Sequence, residues 1–550
     1  MIRRVVTVCL LIVALAGLGA AQAPPRASAP RVDPPRLVVL LVIDQFSGEY
    51  PNLYGQQWTH GLARLFSGGA TFPLAAFPYA DTVTCAGHFT IGTGTLPRTH
   101  GMIGDDWYDP ATKRLPECTT DPDATSVPFG GGTGTEHHSG RWSMVPSFAD
   151  ELRLQSARLP KILSISLKAR SAIGLVGRGG PGTMVIWNEA NGTWATSDVY
   201  TKTPWPDVDA YVRAHPVAAA YGQTWTRLLP LSSYLFDDDG AGENTPAGWT
   251  RTFPHELKSP SGQPDRAFIS QWDRSPWIDA YVGEMASALA VKLRLGQEPG
   301  TDVLALGFSA LDEVGHDFGP RSHEVQDVMA RLDVVIGSLL DTLDTSVGAG
   351  KYVVAVTADH GVAPIPEQAA ALGLNAGRTR SADIRQAAQA SLTTLLGEGS
   401  FYAGFSEMSL YLTPGTIDLL RAKTGAMEEF KRALAAVPGV ARVFGPDELA
   451  ASTPTEDPML RAIRNGYFPG RSGDFFVVPK PYWPMAAAGT THGTPYGYDQ
   501  RVPVLFYGAG IKAGRYLSAA TPADIAPTLA ALCGITLAQA DGHVLGEALK

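Results

Sequence analysis

Six residues carry donor atoms in a pattern that could hold metal ions: Asp44, Asp312, His316, Asp359, His360 and His492. Asp359 and His360 come just after the apolar run Lys351–Thr357. Adjacent residues cannot share one face of a strand, but on the loop past it a carboxylate and an imidazole can turn to one ion. Asp312 and His316 are four apart, so one helical turn would face them together, and a Gly-rich loop could also bring them together. Asp44 ends the apolar run that starts at Arg36, and His492 stands alone in the flexible loop Gly489–Pro495. Oxygen and nitrogen donors without thiolate suit zinc in a catalytic setting, where a position stays open to water or substrate. Six donors are too many for one such ion and enough for two, and paired ions about 4 Å apart can hold both oxygens of an in-line phosphoryl displacement. Plainer readings exist for each residue, Asp44 and Asp359 as turn caps and Asp312–His316 as a surface turn. The recurrence of the pattern at several strand ends favours the metal.

Such a centre needs a nucleophile. In Asp81-Thr82-Val83-Thr84-Cys85-Ala86-Gly87-His88, small and hydroxyl residues precede an alternating segment, which predicts a turn entering a helix. A Thr there meets free backbone N–H groups and the positive end of the helix dipole. That suits a hydroxyl that must ionise and then carry a phosphoryl group. Thr84 and Thr82 are both candidates, and a plain N-cap Thr fits the same pattern. Lys168 and Arg170 close the apolar run that begins at Lys161. Two cations at i and i+2 of a strand end point the same way and could clamp an anion, although a solvated strand end has the same pattern. His137 and His138 lie in the Gly- and Thr-rich stretch Cys118–Gly140 and read as a solvated loop pair.

The elements that must position these groups are short, apolar runs. Arg36–Asp44, Lys161–Leu167, Asp302–Ser309 and Lys351–Thr357 read as buried strands. Trp277–Gln297 and Val325–Thr345 read as amphipathic helices, the first with Ile278, Val282, Met285 and Leu289 on one face. Strand, site, helix, strand, site predicts parallel crossover units: an α/β, doubly wound, mostly parallel central sheet flanked by helices. Its sites then lie at the carboxyl ends of the strands. Two stretches break the rhythm. Residues 201–275, rich in Trp, Pro, Tyr and Gly, read as an irregular insertion that could wall the site. Residues 381–479 read as an inserted α+β subdomain without obvious chemistry: strand Ser409–Leu412, helix Ile417–Val437, strand Val440–Phe444. The catalytic core is thereby divided into 36–200, 276–380 and 480–550, with a last strand at Val502–Tyr507 and a last helix at Pro522–Cys533.

A chain of 550 residues exceeds one small core, and its net charge of −9 without a basic run speaks against a nucleic acid polymer as partner. Residues 1–23 read as a secretory leader: Arg3 and Arg4, the apolar run Val5–Leu18, and the small-residue site Ala21-Gln22-Ala23. Residues 24–35 are a Pro-rich linker. The mature protein is expected to be periplasmic or secreted, without a stable membrane anchor. Of the four cysteines, Cys9 leaves with the leader, and the other three allow one intrachain disulfide in an oxidising compartment. Cys85–Cys118 is the pairing expected, with Cys533 buried in its helix.

Taken together, Asp44 after a strand, Thr84-Cys-Ala-Gly-His88, Asp312-x-x-x-His316, Asp359-His360-Gly361 and Thr491-His492-Gly493 resemble the alkaline phosphatase superfamily. Within it they resemble the nucleotide pyrophosphatase/phosphodiesterase branch, and there most of all the periplasmic phosphate-irrepressible alkaline phosphatases with a Thr nucleophile. The likeness runs from about Leu37 to the C-terminus. It implies a hydrolase of small phosphate monoesters, working as a monomer through a phosphothreonine intermediate with two Zn2+. Asp312, His316 and His492 would hold one ion. Asp44, Asp359 and His360 would hold the other, which also binds Thr84. His88 would be structural. Lys168 and Arg170 match the cation pair that marks monoesterases in this branch. One position departs: where these enzymes offer an Asn to the phosphoryl group, this chain has Asp105, with Asp106 next to it. A carboxylate has no proton to donate and repels a dianion. A diesterase of the branch is therefore the nearest alternative, and a non-catalytic binding protein on this fold a more distant one.

Overall fold

The strand Leu37–Ile43 is apolar throughout and buried throughout. Leu37, Val39, Leu41 and Ile43 join one apolar cluster, and Val38, Leu40 and Val42 join a second one on the opposite face. A strand apolar on both faces needs helices on both faces, and this one has them. The computed structural model describes residues 33–550. The expected leader and most of the linker lie outside the described residues.

The strands in chain order are β1 (Leu37–Ile43), β2 (Ala70–Phe72), β3 (Ser126–Pro128), β4 (Ile162–Ser166), β5 (Thr183–Asn188) and β6 (Trp194–Ser197). They continue as β7 (Thr224–Trp225), β8 (His255–Glu256), β9 (Asp302–Phe308), β10 (Tyr352–Thr357) and β11 (Tyr402–Ser406). The last are β12 (Ser409–Leu412), β13 (Val440–Phe444), β14 (Phe475–Pro479), β15 (Val504–Gly508) and β16 (Gly514–Arg515). Ten of them form one sheet in the order β16-β2-β15-β10-β1-β9-β4-β5-β6-β3. Its centre, β10-β1-β9-β4-β5, is parallel. Antiparallel strands β15 and β6 flank that centre.

The helices that bear on the site are α1 (Thr84–Thr93), α2 (Ala169–Val176), α3 (Pro276–Lys292), α4 (Ala310–Phe318) and α5 (His323–Leu343). Helices α3 and α5 pack on one face through Ile278, Val282, Val328 and Leu332. Helices α1 and α2 pack on the other through Phe89, Ile91, Ala172 and Ile173. The fold is the doubly wound α/β sheet expected. No helix among the described residues is long and apolar enough to cross a membrane.

Several local expectations are corrected. Lys168 and Arg170 do not sit on a strand end: β4 stops at Ser166, Lys168 is the N-cap residue of α2, and Arg170 lies in that helix's first turn. The Ala-rich stretch that follows favours helix over strand. Helix α3 ends at Lys292, short of Gln297, because Arg294 and Gly296 take left-handed φ values of 55° and 68°. The single helix expected over 417–437 is two, α6 (Thr416–Ala422) and α7 (Ala426–Ala435), separated at Gly425 with φ 79°. The segment 381–479 carries a four-stranded antiparallel sheet, β11-β12-β14-β13, with its own apolar core, rather than one strand–helix–strand unit. Residues 201–275 include the helices Pro206–Ala214 and Arg266–Asp273 and the β7-β8 ladder amid irregular chain. His138 is buried rather than solvated, bonded to Thr119 and Glu136, while His137 is exposed. Cys533 is half-buried at the end of its helix rather than buried within it. Cys85 and Cys118 are bridged, as expected.

Candidate active site

Three of the central strands deliver a charged side chain at their carboxyl ends. Asp44 follows β1, Lys168 lies two residues past β4, and Asp359 lies two past β10. Ser309 follows β9 and leads into α4, whose first and second turns carry Asp312 and His316 on one side. His492 enters on the loop between β14 and β15, tied by its Nδ1 to the Thr82 carbonyl at 2.9 Å.

These side chains converge. His316 Nε2 lies 3.2 Å and His492 Nε2 3.7 Å from Asp312 Oδ1. His360 Nε2 lies 3.2 Å from Asp359 Oδ2, and its ring stacks on that of His492 with centroids 3.4 Å apart. His88 reaches into the group from α1, 3.3 Å from Asp44 and 3.4 Å from Asp359. Donor atoms therefore cluster as Asp312, His360 and His492, and as Asp44, His88 and Asp359. This differs from the expected partition: His88 sits between the two carboxylates, and His360 spans towards both clusters.

Close backbone approach makes this packing possible. A Cβ on Gly87 would lie 2.4 Å from the Asp359 carbonyl oxygen. Any side chain there would push α1 off the Asp359 loop.

Charge governs the site. Burial lowers the His88 imidazole, but Asp44 and Asp359 outweigh it and hold it at about 10. Burial opposes ionisation of Asp312 too, yet Lys168 and His316 keep its carboxyl well below the usual range. Burial would likewise discharge Lys168, and Asp312, Glu313 and Asp44 hold its ammonium above its ordinary value. Its Nζ contacts Asp312 Oδ2 closely and stands 3.6 Å from Asp44 Oδ2. His492 is held well below its ordinary value by burial and by His360 and His316.

The donor set fits metal ions. Asp44 Oδ1, His88 Nε2, Asp359 Oδ2 and His360 Nε2 are buried and have no hydrogen-bond partner. They meet one another as close acid–imidazole pairs at 3.2 to 3.4 Å, and divalent ions bound among them would take the place of the imidazole protons. No thiolate is among them, so the chemistry is that of a hard or borderline divalent ion.

Residues 38–498 match the type I phosphodiesterase/nucleotide pyrophosphatase family. The chain belongs to this family. It is 30% identical to the alkaline phosphatase PafA of Elizabethkingia meningoseptica over 519 residues, 91% of this chain and 92% of that one. It is 29% identical to the alkaline phosphatase PhoV of Synechococcus elongatus, over 94% of this chain and 93% of that one. The solved structure of PafA superposes with a TM-score of 0.85 at 29% identity, over 94% of this chain and all of PafA. A solved PafA variant changed at a Thr, an Asn, a Lys and an Arg superposes equally well, at 28% identity over 94% of this chain and all of that one.

Four further groups complete the site of this phosphodiesterase-family chain, and the motifs did not reveal their roles. Gln45, at a left-handed φ of 65°, donates from its backbone N to Asp359 Oδ1 at 3.1 Å and from Nε2 to Asp312 Oδ1 at 2.6 Å. It thus bridges the two carboxylate groups. Ser309 Oγ donates to Asp44 Oδ2 at 2.8 Å, and the Ser309 N–H donates to Asp279 Oδ1 at 2.9 Å. Burial lifts Asp279 to about 7. Glu407, in the turn between β11 and β12, is the fourth. Burial, then Asp105 and Asp106, push it up to about 7. Its only sequence signal is a Glu in a two-residue hairpin turn.

Asp105 takes the donors around it. Its Oδ1 accepts from the Cys85 N–H at 2.7 Å, and its Oδ2 lies 3.2 Å from Arg170 Nε. Of the two cations, Arg170 is its partner and Lys168 is not.

Proposed function

We propose that this protein is a phosphate monoester hydrolase that holds two zinc ions and uses Thr84 as nucleophile. The observation that carries the reading is the pair of donor clusters, with four buried unpartnered atoms, packed against the first turn of the helix that begins at Thr84. Its likeness to PafA and PhoV supports monoesters as substrates. In the PafA variant the substituted Thr, Asn, Lys and Arg occur in the order of Thr84, Asp105, Lys168 and Arg170 here. The separations within the first and last pairs are the same, which supports those four as the residues that meet the phosphoryl group.

By the likeness noted in the sequence, Asp312, His316 and His492 would hold one ion and Asp44, Asp359 and His360 the other, with His360 reaching towards both clusters. When bound, zinc would supply the positive charge that acidifies the attacking hydroxyl and offsets charge on the departing oxygen. Thr84 Oγ attacks phosphorus in line as the bond to the leaving oxygen breaks, so the alcohol departs and phosphothreonine forms. Water then attacks the same phosphorus, releasing inorganic phosphate and restoring Thr84. Lys168 and Arg170 face the non-bridging oxygens, with Arg170 first exchanging Asp105 for substrate. The leader at residues 1–23 fits this role, because it would place the enzyme in the periplasm or outside the cell.

The test is a rate comparison on zinc-loaded protein with an aryl monoester and an aryl diester at one enzyme concentration. A higher kcat/KM for the monoester is the expected result. A higher value for the diester would establish the second reading, a phosphodiesterase, which the carboxylate of Asp105 favours. Absence of turnover on both would overturn the reading altogether.

A further inference from the structure

The segment 381–479 reaches the site with one side chain. Strands β11 and β12 pair from Ser406 to Ser409, leaving Glu407 and Met408 as a two-residue turn. Glu407 takes a left-handed φ of 52°. Such a turn position favours Gly, so a Glu there is held against its own backbone preference. Observed strain of this kind points to function.

The carboxylate lies against the loop that carries His492. Glu407 Oε2 is 3.4 Å, and Val83 Cγ1 3.2 Å, from the place a Cβ on Gly493 would take. Gly493 follows His492, and Val83 precedes Thr84. Glu407 therefore stands on the His492 side of Thr84, the side on which an ion held by His492 would meet the leaving oxygen.

Its surroundings are acidic. Asp105 and Asp106 are its nearest like charges, and Arg170 and His316 the positive groups opposing them. Arg170 is already taken by Asp105. Beneath the turn, Asp81 is 5% exposed with Oδ1 unpartnered, and Asp106 Oδ1 is unpartnered too. Burial and then the charge of Glu407 push the Asp81 carboxyl well above its ordinary value. Asp105 holds Arg170, and His316 is the other positive group opposing these acids, so a positive charge from outside the chain would draw Glu407 and Asp106 into their ionised forms.

Building on the monoesterase reading, we propose that Glu407 selects phosphate monoesters whose alcohol carries a fixed positive charge, such as a quaternary ammonium group close to the ester oxygen. The phosphoryl group is met by Lys168 and Arg170, and the cation by Glu407 with the charge of Asp106 nearby. A neutral alcohol of the same shape forgoes that second contact.

The experiment compares trimethylammonioethyl phosphate with 3,3-dimethylbutyl phosphate, in which carbon replaces the nitrogen, on the zinc-loaded full chain, with p-nitrophenyl phosphate alongside. Neither probe changes charge on its alcohol side with pH. Wild type should favour the cationic ester in kcat/KM by roughly ten-fold or more, the worth of one partly desolvated charge contact. In Glu407→Gln that ratio should fall to about two-fold or less. Glu407→Gly should collapse the ratio as well while the melting temperature holds or rises, because Gly relieves the left-handed turn. A ratio near one in wild type with p-nitrophenyl phosphate turned over, or a ratio kept in Glu407→Gln, overturns this inference alone. If all three esters are inert, it falls with the monoesterase reading.

Discussion

The carboxyl edge of the central sheet and the β11-β12 turn bear on one site, yet they are built on opposite terms. At the sheet edge every charge has a neighbour of the other sign. Asp44 and Asp359 flank His88, Asp312 meets His316 and Lys168, and Asp105 meets Arg170. The backbone there rests on parallel strands buried on both faces. At the turn, Glu407 faces other carboxylates from a left-handed backbone. Buried charges are tolerable when paired, so the sheet edge is the permanent machinery. A strained carboxyl among other acids is tolerated by taking a proton or by meeting a cation, and in the reading proposed above that cation belongs to the substrate.

The harshest way to break that division is at its chemical centre. Thr84→Ala should lower monoester turnover by roughly 10³-fold or more, with two zinc ions per chain retained by elemental analysis. Retention of more than a few per cent of the wild-type rate, once contaminating phosphatase is excluded, would move the nucleophile elsewhere, with Thr82 the first alternative. Next in size is the loss of the cations at the sheet edge. Lys168→Ala with Arg170→Ala should cut monoester kcat/KM by roughly 10²-fold or more, at one to three kcal/mol per charged contact, and diester kcat/KM by much less. Equal losses on both substrates would mean that the pair supports Asp312 and Asp105 without reading the terminal phosphoryl group. Zinc content in the same samples separates these outcomes, since Lys168 touches Asp312.

Asp105 belongs to both regions, and a change there sharpens the contrast. Asp105→Asn frees Arg170 from its carboxylate partner and offers a donor in place of an acceptor. Monoester kcat/KM should rise by roughly three- to ten-fold, from one relieved charge contact. A variant slower than wild type under every condition would show that the carboxylate helps catalysis, and the acidic side of the site would then need another account.

The smallest effect concerns the loop that carries Asp105. His100 anchors it as a neutral ring: Nδ1 accepts from the Met102 N–H at 3.0 Å, and Nε2 meets Thr90 Oγ1 at 3.1 Å. Burial, then Arg471, lower it to about 3. Its ordinary value in an unfolded chain is about 6.5, so the unfolded state takes up the proton first. The stability His100 contributes is present above about pH 6.5 and is lost as pH falls through that window towards about 3. In His100→Gln the slope of stability against pH across this range should shrink by one proton, measured by acid unfolding at several pH values. An unchanged slope would show that the ring is charged in the fold and that charge pairing anchors this loop as well.

Much of the candidate site is legible in the sequence because its parts are local. Asp44, Asp359 and His360 declare themselves by following apolar runs that can only be buried strands, and Asp312 and His316 by a four-residue step that one helical turn converts into proximity. The doubly wound sheet followed from the same alternation of apolar strand and amphipathic helix. Spacing and residue type by themselves therefore determined the sheet, the strand ends and the identity of the donor atoms. Only the tertiary structure decided which donors lie together. The placement of His88 between Asp44 and Asp359 depends on how α1 packs, through Gly87, against the Asp359 loop, across more than 250 residues of chain. The same holds for Arg170, whose start in a helix rather than on a strand turns it to Asp105. It holds most of all for Glu407, where a hairpin far along the chain brings its turn beside Gly493 and Val83. Pairing across a fold is set by long-range packing, and no local periodicity records it.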